Sequence, residues 1–304
     1  MEELNFTVVE SNTSSSSPEY QPDVVPAVLL SICFLLGVPG NITVVLLRPN
    51  FQHLSSLSQS LMLNLAFSDL LCLLTLPVWI YSLLYSWTFG LEACKLMVYL
   101  MYFSVSGSQL TVTMLAVQRY LLVVRLKKFL HLGRKRLLVL LWLVAALLSI
   151  PALVVPQHFK YQNWSECLRV YTPDAQRMAE LLAEILLGII SLFAVAFAYI
   201  QVRRKVNQSA FFNNPQTNRL VTSIIVTFFV LWVPYHTVNM LGVIAISLNN
   251  ESMLKFCTDA WNIVAAVTFV NSSLNPLLYA FASYKMHQTP TTNNAAAEDE
   301  ELQE

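Results

Sequence analysis

Few charged or strongly hydrogen-bonding side chains interrupt the apolar stretches of this 304-residue chain, and those few carry its chemistry. Asp69, in Asn64-Leu65-Ala66-Phe67-Ser68-Asp69, is an acid in the middle of an apolar run. Such a carboxyl is either protonated or holds a cation. The oxygens of Ser108, Asn271, Ser272, Ser273 and Asn275 are ligands that a small hard cation such as sodium takes, and the plain alternative is a hydrogen-bond knot that fastens helices together. Arg119, flanked as Gln118-Arg119-Tyr120, ends another apolar run. An arginine in a bilayer interior costs roughly 2.5 to 3.5 kcal/mol, so it either snorkels into water or is held there for a purpose. A third group is Glu184 with Trp232, His236 and Asn239, the last three spaced by four and then three residues and so on one helix face, with Tyr235 one position off it. His236 and Asn239 can donate to a hydroxyl or a carboxylate, and Glu184 can accept from a hydroxyl or hold His236 charged. A His–Glu or His–Asn pair that only locks helices together is the alternative.

The elements that must position these residues are membrane spans. With 56% apolar and 12% charged side chains and a mean hydropathy of +0.55, the chain is too apolar for an ordinary soluble domain. Stretches able to cross about 30 Å of hydrocarbon lie near 24–47, 57–85, 91–124, 136–156, 178–202, 219–248 and 257–284. The expected fold is an all-α membrane protein, a seven-helix bundle spanning 24–284, with a tail at 1–23 and a short, acidic, disordered tail at 285–304. Basic residues fall after odd spans, at Arg48, at Arg125 to Arg136 and at Arg203 to Arg219, while none precedes Arg48. The N-terminus is therefore expected outside and the C-terminus in the cytoplasm of a multi-pass plasma-membrane protein. No cleavable leader is expected, because residues 1–23 lack an apolar core.

Sequons at Asn5, Asn12, Asn163 and Asn250 fall on the predicted outer side and are the candidate glycosylation sites, although Asn207-Gln208-Ser209 stands on the other side. Cys33 and Cys72 read as packing residues within spans. Cys94 and Cys167 both lie outside, where a disulfide is expected between them, with Cys257 the competing partner. Pro77, Pro151, Pro234 and Pro276 should each bend a span. In the third span Tyr99, Met101, Tyr102, Val105 and Ser106 offer no carboxylate for an amine ligand. No lysine stands in the middle of the seventh span, so a retinal Schiff base is excluded. Nothing resembles a nucleophile with its base, a metal-ligand cluster or a phosphate loop, so no enzyme is expected. Inverted repeats typical of transporters are missing, and the basic loops belong beside anionic lipid rather than nucleic acid.

Taken in order, Gly40-Asn41, Leu65-Ala66-Phe67-Ser68-Asp69, Cys94, Gln118-Arg119-Tyr120, Trp142, Trp232-Val233-Pro234 and Asn275-Pro276-Leu277-Leu278-Tyr279 resemble the motifs of rhodopsin-like (class A) G-protein-coupled receptors across nearly the whole chain. Within that family, Trp232-Val233-Pro234-Tyr235-His236-Thr237-Val238-Asn239, Gln118 and Glu184 are similar to the leukotriene B4 receptors. The resemblance implies a lipid ligand, a long apolar chain bearing hydroxyls and one carboxylate, held by Tyr99, Met101, Tyr102, Val105, Ser106, Glu184, Trp232, Tyr235, His236 and Asn239. It further implies an allosteric sodium ion at Asp69, Ser108, Asn271 and Asn275, with no other cofactor or metal. Arg119, Tyr120, Tyr199, Trp232, Pro234, Asn275, Pro276 and Tyr279 become the activation switch and G-protein contact. The implied partners are leukotriene B4, a heterotrimeric G protein of the inhibitory type, arrestin and membrane lipids, with a chemoattractant peptide or another lipid mediator as the alternative ligand.

The chain departs from that pattern in four places. Gln118 replaces the usual acid, and no Asp or Glu occurs from Ile185 through Asn250, so the familiar ionic restraint on Arg119 is expected to be missing and basal signalling to be measurable. Two cationic or histidine positions of leukotriene receptors fall on Val98 and near Pro156. The fifth span lacks its usual proline, and no cysteine follows Cys257 to anchor a membrane-surface helix.

Overall fold

A computed structural model describes residues 22–47, 55–125, 133–154, 156–160, 165–169, 174–208 and 215–287. Its helices are α1 (Val24–Leu47), α2 (Ser56–Leu73), α3 (Leu76–Leu84), α4 (Gly90–Val123), α5 (Arg134–Leu148), α6 (Pro151–Val154), α7 (Asp174–Gln208), α8 (Pro215–Ser247) and α9 (Glu251–His287), with an antiparallel hairpin of β1 (Pro156–Lys160) and β2 (Ser165–Arg169) between α6 and α7. Six segments among the described residues, 24–46, 56–84, 90–123, 176–205, 225–247 and 251–277, are long and apolar enough to cross a membrane. The expected fourth span is divided, because α5 ends at Leu148 and the chain restarts at Pro151.

Proline chemistry explains which spans break. Pro77 and Pro151 each stand in the first turn of a new helix, where the missing N–H is harmless, and the chain bends just before them. At the first of these bends the Thr75 hydroxyl donates to Cys72 O at 2.7 Å, satisfying a carbonyl that the interrupted helix leaves over. Pro39, Pro234 and Pro276 instead lie inside α1, α8 and α9, which continue past them. With no proline in it, α7 runs unbroken for 35 residues. Among the described residues the hairpin is the one departure from an all-helical reading, and it is short enough to serve as a loop device.

Burial is inverted relative to a water-soluble protein. Leu35, Leu46 and Phe193 are about 70% exposed, whereas Asp69, Asn41 and Asn275 are completely buried. Polar groups turn inward because a lipid surround cannot satisfy them. The bundle closes over two apolar clusters. One, around Leu61, Leu65, Val112, Leu115, Val195 and Phe228, joins α2, α4, α7 and α8; the other, around Leu30, Leu73, Leu76 and Phe269, joins α1, α2, α3 and α9. Gly40 permits the close approach of α1 and α9, since a methyl there would lie 2.8 Å from the Pro276 ring.

At one end of the bundle, Cys94 of α4 is disulfide-bonded to Cys167 of β2, while Cys257 is a free, buried thiol. Beside that bridge Trp87 is fully buried, its amide donating to Ser165 O at 2.8 Å and its indole N–H to Gly90 O at 2.8 Å. The Ser165 amide donates to Ser86 Oγ at 3.0 Å, and the Ser165 hydroxyl donates to Trp87 O. This knot holds the hairpin over the bundle. Within it, burial pushes the Glu166 carboxyl above its ordinary range. Arg119 lies near the other end of α4, which at 34 residues is about 50 Å long.

Candidate functional site

Three polar assemblies follow one another down the bundle from the disulfide end. In the first, Glu184 of α7 accepts through one oxygen, Oε2, from Tyr235 Oη at 2.7 Å and Asn239 Nδ2 at 3.1 Å, both on α8. Glu184 therefore hydrogen-bonds a tyrosine and an amide of α8. His236 is 95% buried and neither ring nitrogen has a hydrogen-bond partner; its ring is stacked on Trp232 at 5.7 Å between centroids. Asn239 Oδ1 and Trp232 Nε1 are likewise buried without partners. Trp232 in turn packs against Phe228 one turn along α8, with centroids 5.6 Å apart.

The third-span candidates do not all gather here. Tyr99 stacks on Phe103, which lies against Trp142 of α5. Met101 packs with the apolar cluster of α1, α3 and α9, and Val105 borders both clusters. Ser106 is buried on the same helix, and Tyr102 is half-buried. Sequence reasoning also passed over Trp79, which packs against the same apolar cluster as Met101 and whose buried indole nitrogen has no partner.

The second assembly surrounds Asp69. Its Oδ1 accepts from Ser108 Oγ at 2.9 Å and its Oδ2 from Asn275 Nδ2 at 2.6 Å. Asn41 joins α1 to α9 by donating to Ser272 O at 3.0 Å. Donors are thus consumed while carbonyl oxygens are left over: Asn271 Oδ1, Asn275 Oδ1 and Asn41 Oδ1 are buried without partners. A carboxylate with surplus neutral oxygens is the donor set of a small hard cation, so these residues fit sodium. Beside it, Asn64 donates to Thr111 Oγ1 at 2.8 Å and accepts from Trp142 Nε1 at 2.9 Å, tying α2, α4 and α5 together.

The third assembly is at the Arg119 end. Gln118 is 98% buried and donates through Nε2 to Ser55 Oγ at 2.9 Å. Ser55 also caps α2, its hydroxyl oxygen accepting from the Ser58 amide. Arg119 lines a small cavity with Tyr199, Thr222 and Ile225, so it points among α4, α7 and α8 and not simply into solvent. Tyr199 Oη accepts from Arg203 Nη1 at 3.2 Å, and Tyr120 Oη from Arg125 Nε at 3.1 Å. Pro234 and Pro276 lie in α8 and α9 as expected, whereas the Tyr279 side chain is outside the described residues. Of the candidate glycosylation sites, Asn5, Asn12 and Asn163 lie outside the described residues. Asn250 is exposed, and its Oδ1 accepts from the Met253 amide at the start of α9.

Among the described residues, the helical bundle carries its polar groups as an inward column beneath a disulfide-pinned hairpin, within segments long and apolar enough to cross a membrane. The chain matches the family described as 7 transmembrane receptor (rhodopsin family) over residues 40–279, and it belongs to that family of G-protein-coupled receptors. It is 32% identical over 292 residues to G-protein coupled receptor E1 of Equine herpesvirus 2 (strain 86/87), covering 90% of this chain and 76% of that one. It is 33% identical over 266 residues to Leukotriene B4 receptor 1 of Homo sapiens, covering 84% and 76%. Over 296 residues it is 28% identical to C-C chemokine receptor type 7 of Homo sapiens, covering 93% and 78%. Membership makes the chain a multi-pass membrane receptor, with an activating ligand and a G protein as its partners.

Proposed function

We propose that this receptor responds to leukotriene B4 at the plasma membrane and signals through an inhibitory heterotrimeric G protein. The observation that carries the reading is the layer of Glu184, Tyr235 and Asn239 above a buried His236 with two unpartnered nitrogens, set in otherwise apolar walls. A hydroxylated fatty acid needs such a place: mostly apolar, with a few convergent polar groups. Similarity to the human leukotriene B4 receptor supports the same ligand.

In this reading the disulfide end and its hairpin face outside, and the basic Arg119 end faces the cytoplasm, where its charges belong. Ligand contact at His236 and Trp232 passes to Phe228 along α8 and favours a state in which α8 swings out and opens the cleft beside Arg119 and Tyr199 to the G protein. The Pro234 and Pro276 sites supply bends about which α8 and α9 move. Sodium at Asp69, Ser108, Asn271 and Asn275 would hold the resting arrangement, and arrestin would use the same cleft. Cells expressing the chain should lower cyclic AMP in response to nanomolar leukotriene B4; silence at micromolar ligand, with receptor detected at the surface, would remove this ligand.

A second reading is a basic chemoattractant peptide. Glu180 and Glu184 lie one turn apart on α7, and a cationic side chain entering from the disulfide end would meet both. The relationship to the human chemokine receptor points the same way. A panel of lipid and peptide attractants separates the two.

A further inference from the structure

Gly188 lies one turn below Glu184 on α7, on the same face, directly against the His236 ring. A methyl group added at Gly188 would stand 2.0 Å from His236 Cε1, 2.3 Å from Nε2 and 2.5 Å from Nδ1. Ordinary contact needs about 3.5 Å, so any side chain at this position would push the ring back by about 1.5 Å. Two aromatic side chains of its own helix flank the ring. Trp232 stacks on it at 25°, and Tyr235 meets it edge-on at 5.5 Å and 76°.

The absence of a side chain at Gly188 therefore fixes where the imidazole lies. It sits one layer deeper than the Glu184 acceptor and one layer above Trp232. A neutral imidazole presents one donor and one acceptor nitrogen, and its complement is a group that can both accept and donate, an alcohol or an amide. A carboxylate is poorly suited to this depth, because it would approach a carboxyl that already accepts from Tyr235 and Asn239. We propose that Gly188 is a specificity-determining residue: by letting His236 lie flat against α7, it fits the pocket floor to an alcohol of the ligand and leaves an acid group to the disulfide end. For a hydroxylated fatty acid, the hydroxyl-bearing part enters first. This orientation rests on the reading of His236 as a ligand anchor, whereas the placement of the ring by Gly188 does not.

The test pairs a signalling measurement with a ligand-free one. In purified receptor labelled with ¹³C-histidine, the His236 Cε1–H resonance is identified by its loss in His236→Asn. Trp232 should shift that resonance through its ring current, and Gly188→Ala should move it toward the unstacked position. In cells, Gly188→Ala should raise the half-maximal leukotriene B4 concentration at least tenfold. It should also abolish the parent's preference for leukotriene B4 over an analogue with a hydroxyl replaced by hydrogen. Gly188→Ala should cost nothing further when added to His236→Ala. If Gly188→Ala fails to reach the surface, the double variant Gly188→Ala/His236→Ala should restore it; failure to do so overturns the proposal. An unmoved resonance, or additive losses of potency, also overturns it. Should the parent ignore leukotriene B4 altogether, the ligand reading fails on its own, and the resonance alone decides whether Gly188 places the ring.

Discussion

The Asp69 and Glu184 assemblies are each built on one carboxyl that accepts hydrogen bonds from neighbouring helices, yet they leave different sets of groups unsatisfied. Around Asp69 the donors are used and amide oxygens of Asn41, Asn271 and Asn275 remain. Around Glu184 the tyrosine and amide donors are used, and what remains is an imidazole with two partnerless nitrogens, an indole N–H and the amide oxygen of Asn239. Leftover oxygens around a carboxyl call for a cation; nitrogens together with an amide oxygen call for a molecule with hydroxyls, which both donate and accept. The chemistry of the missing partner is thus written in which groups the protein does not pair internally.

Breaking that contrast should produce graded effects. Asp69→Ala should be the most damaging, since it strands the Ser108 and Asn275 donors in a completely buried site. Losing both acceptors costs on the order of 2–4 kcal/mol, read as a fall in the melting temperature of the purified receptor. The same variant should make agonist affinity identical in sodium and N-methylglucamine chloride; a sodium effect that survives would remove the cation from this assembly. His236→Ala should weaken agonist potency at least tenfold, about 1.4 kcal/mol, while sodium still modulates affinity. If potency is unchanged, His236 is a packing residue and the contrast between the assemblies collapses. Tyr235→Phe takes one of two donors from Glu184 and should cost about 0.5–1.5 kcal/mol in agonist binding, measured by radioligand competition.

The smallest effect is expected at the Arg119 end, where Gln118 donates a neutral hydrogen bond to Ser55. Gln118→Asp replaces an amide donor by an anion beside Arg119, and ligand-free G-protein activation should drop about twofold. Basal activity equal to the parent's would show that Gln118 holds α2 and α4 together without affecting the switch.

Much of this architecture was legible in one dimension. Apolar length gave the spans, and ordered motifs gave the family, because both are local properties of the chain. The boundaries of α5 and α6 were less legible: Pro151 was seen as a bend, but only the backbone shows that it divides the span. Besides Trp79, two further residues are not legible as partners. Ser55, before the first turn of α2, is an ordinary cap in sequence until Gln118 arrives from 63 residues away. Gly188 is one glycine in an apolar helix until the ring of His236 lies on it. Tyr99 is another contact that order alone does not give: it stacks on Phe103, which lies against Trp142.

The sequence alone determined a membrane-spanning helical receptor, the position of Asp69 within an apolar run and Gln118 as the neighbour of Arg119, since each follows from residue type and order. The tertiary structure decided who meets whom: Glu184 with Tyr235 and Asn239, Asp69 with Ser108 and Asn275, Gln118 with Ser55, and His236 with the bare backbone of Gly188. Those meetings depend on how far each helix is rotated about its own axis and how deep it sits. Rotation and depth are set by the packing of all the helices together, so no single span encodes them.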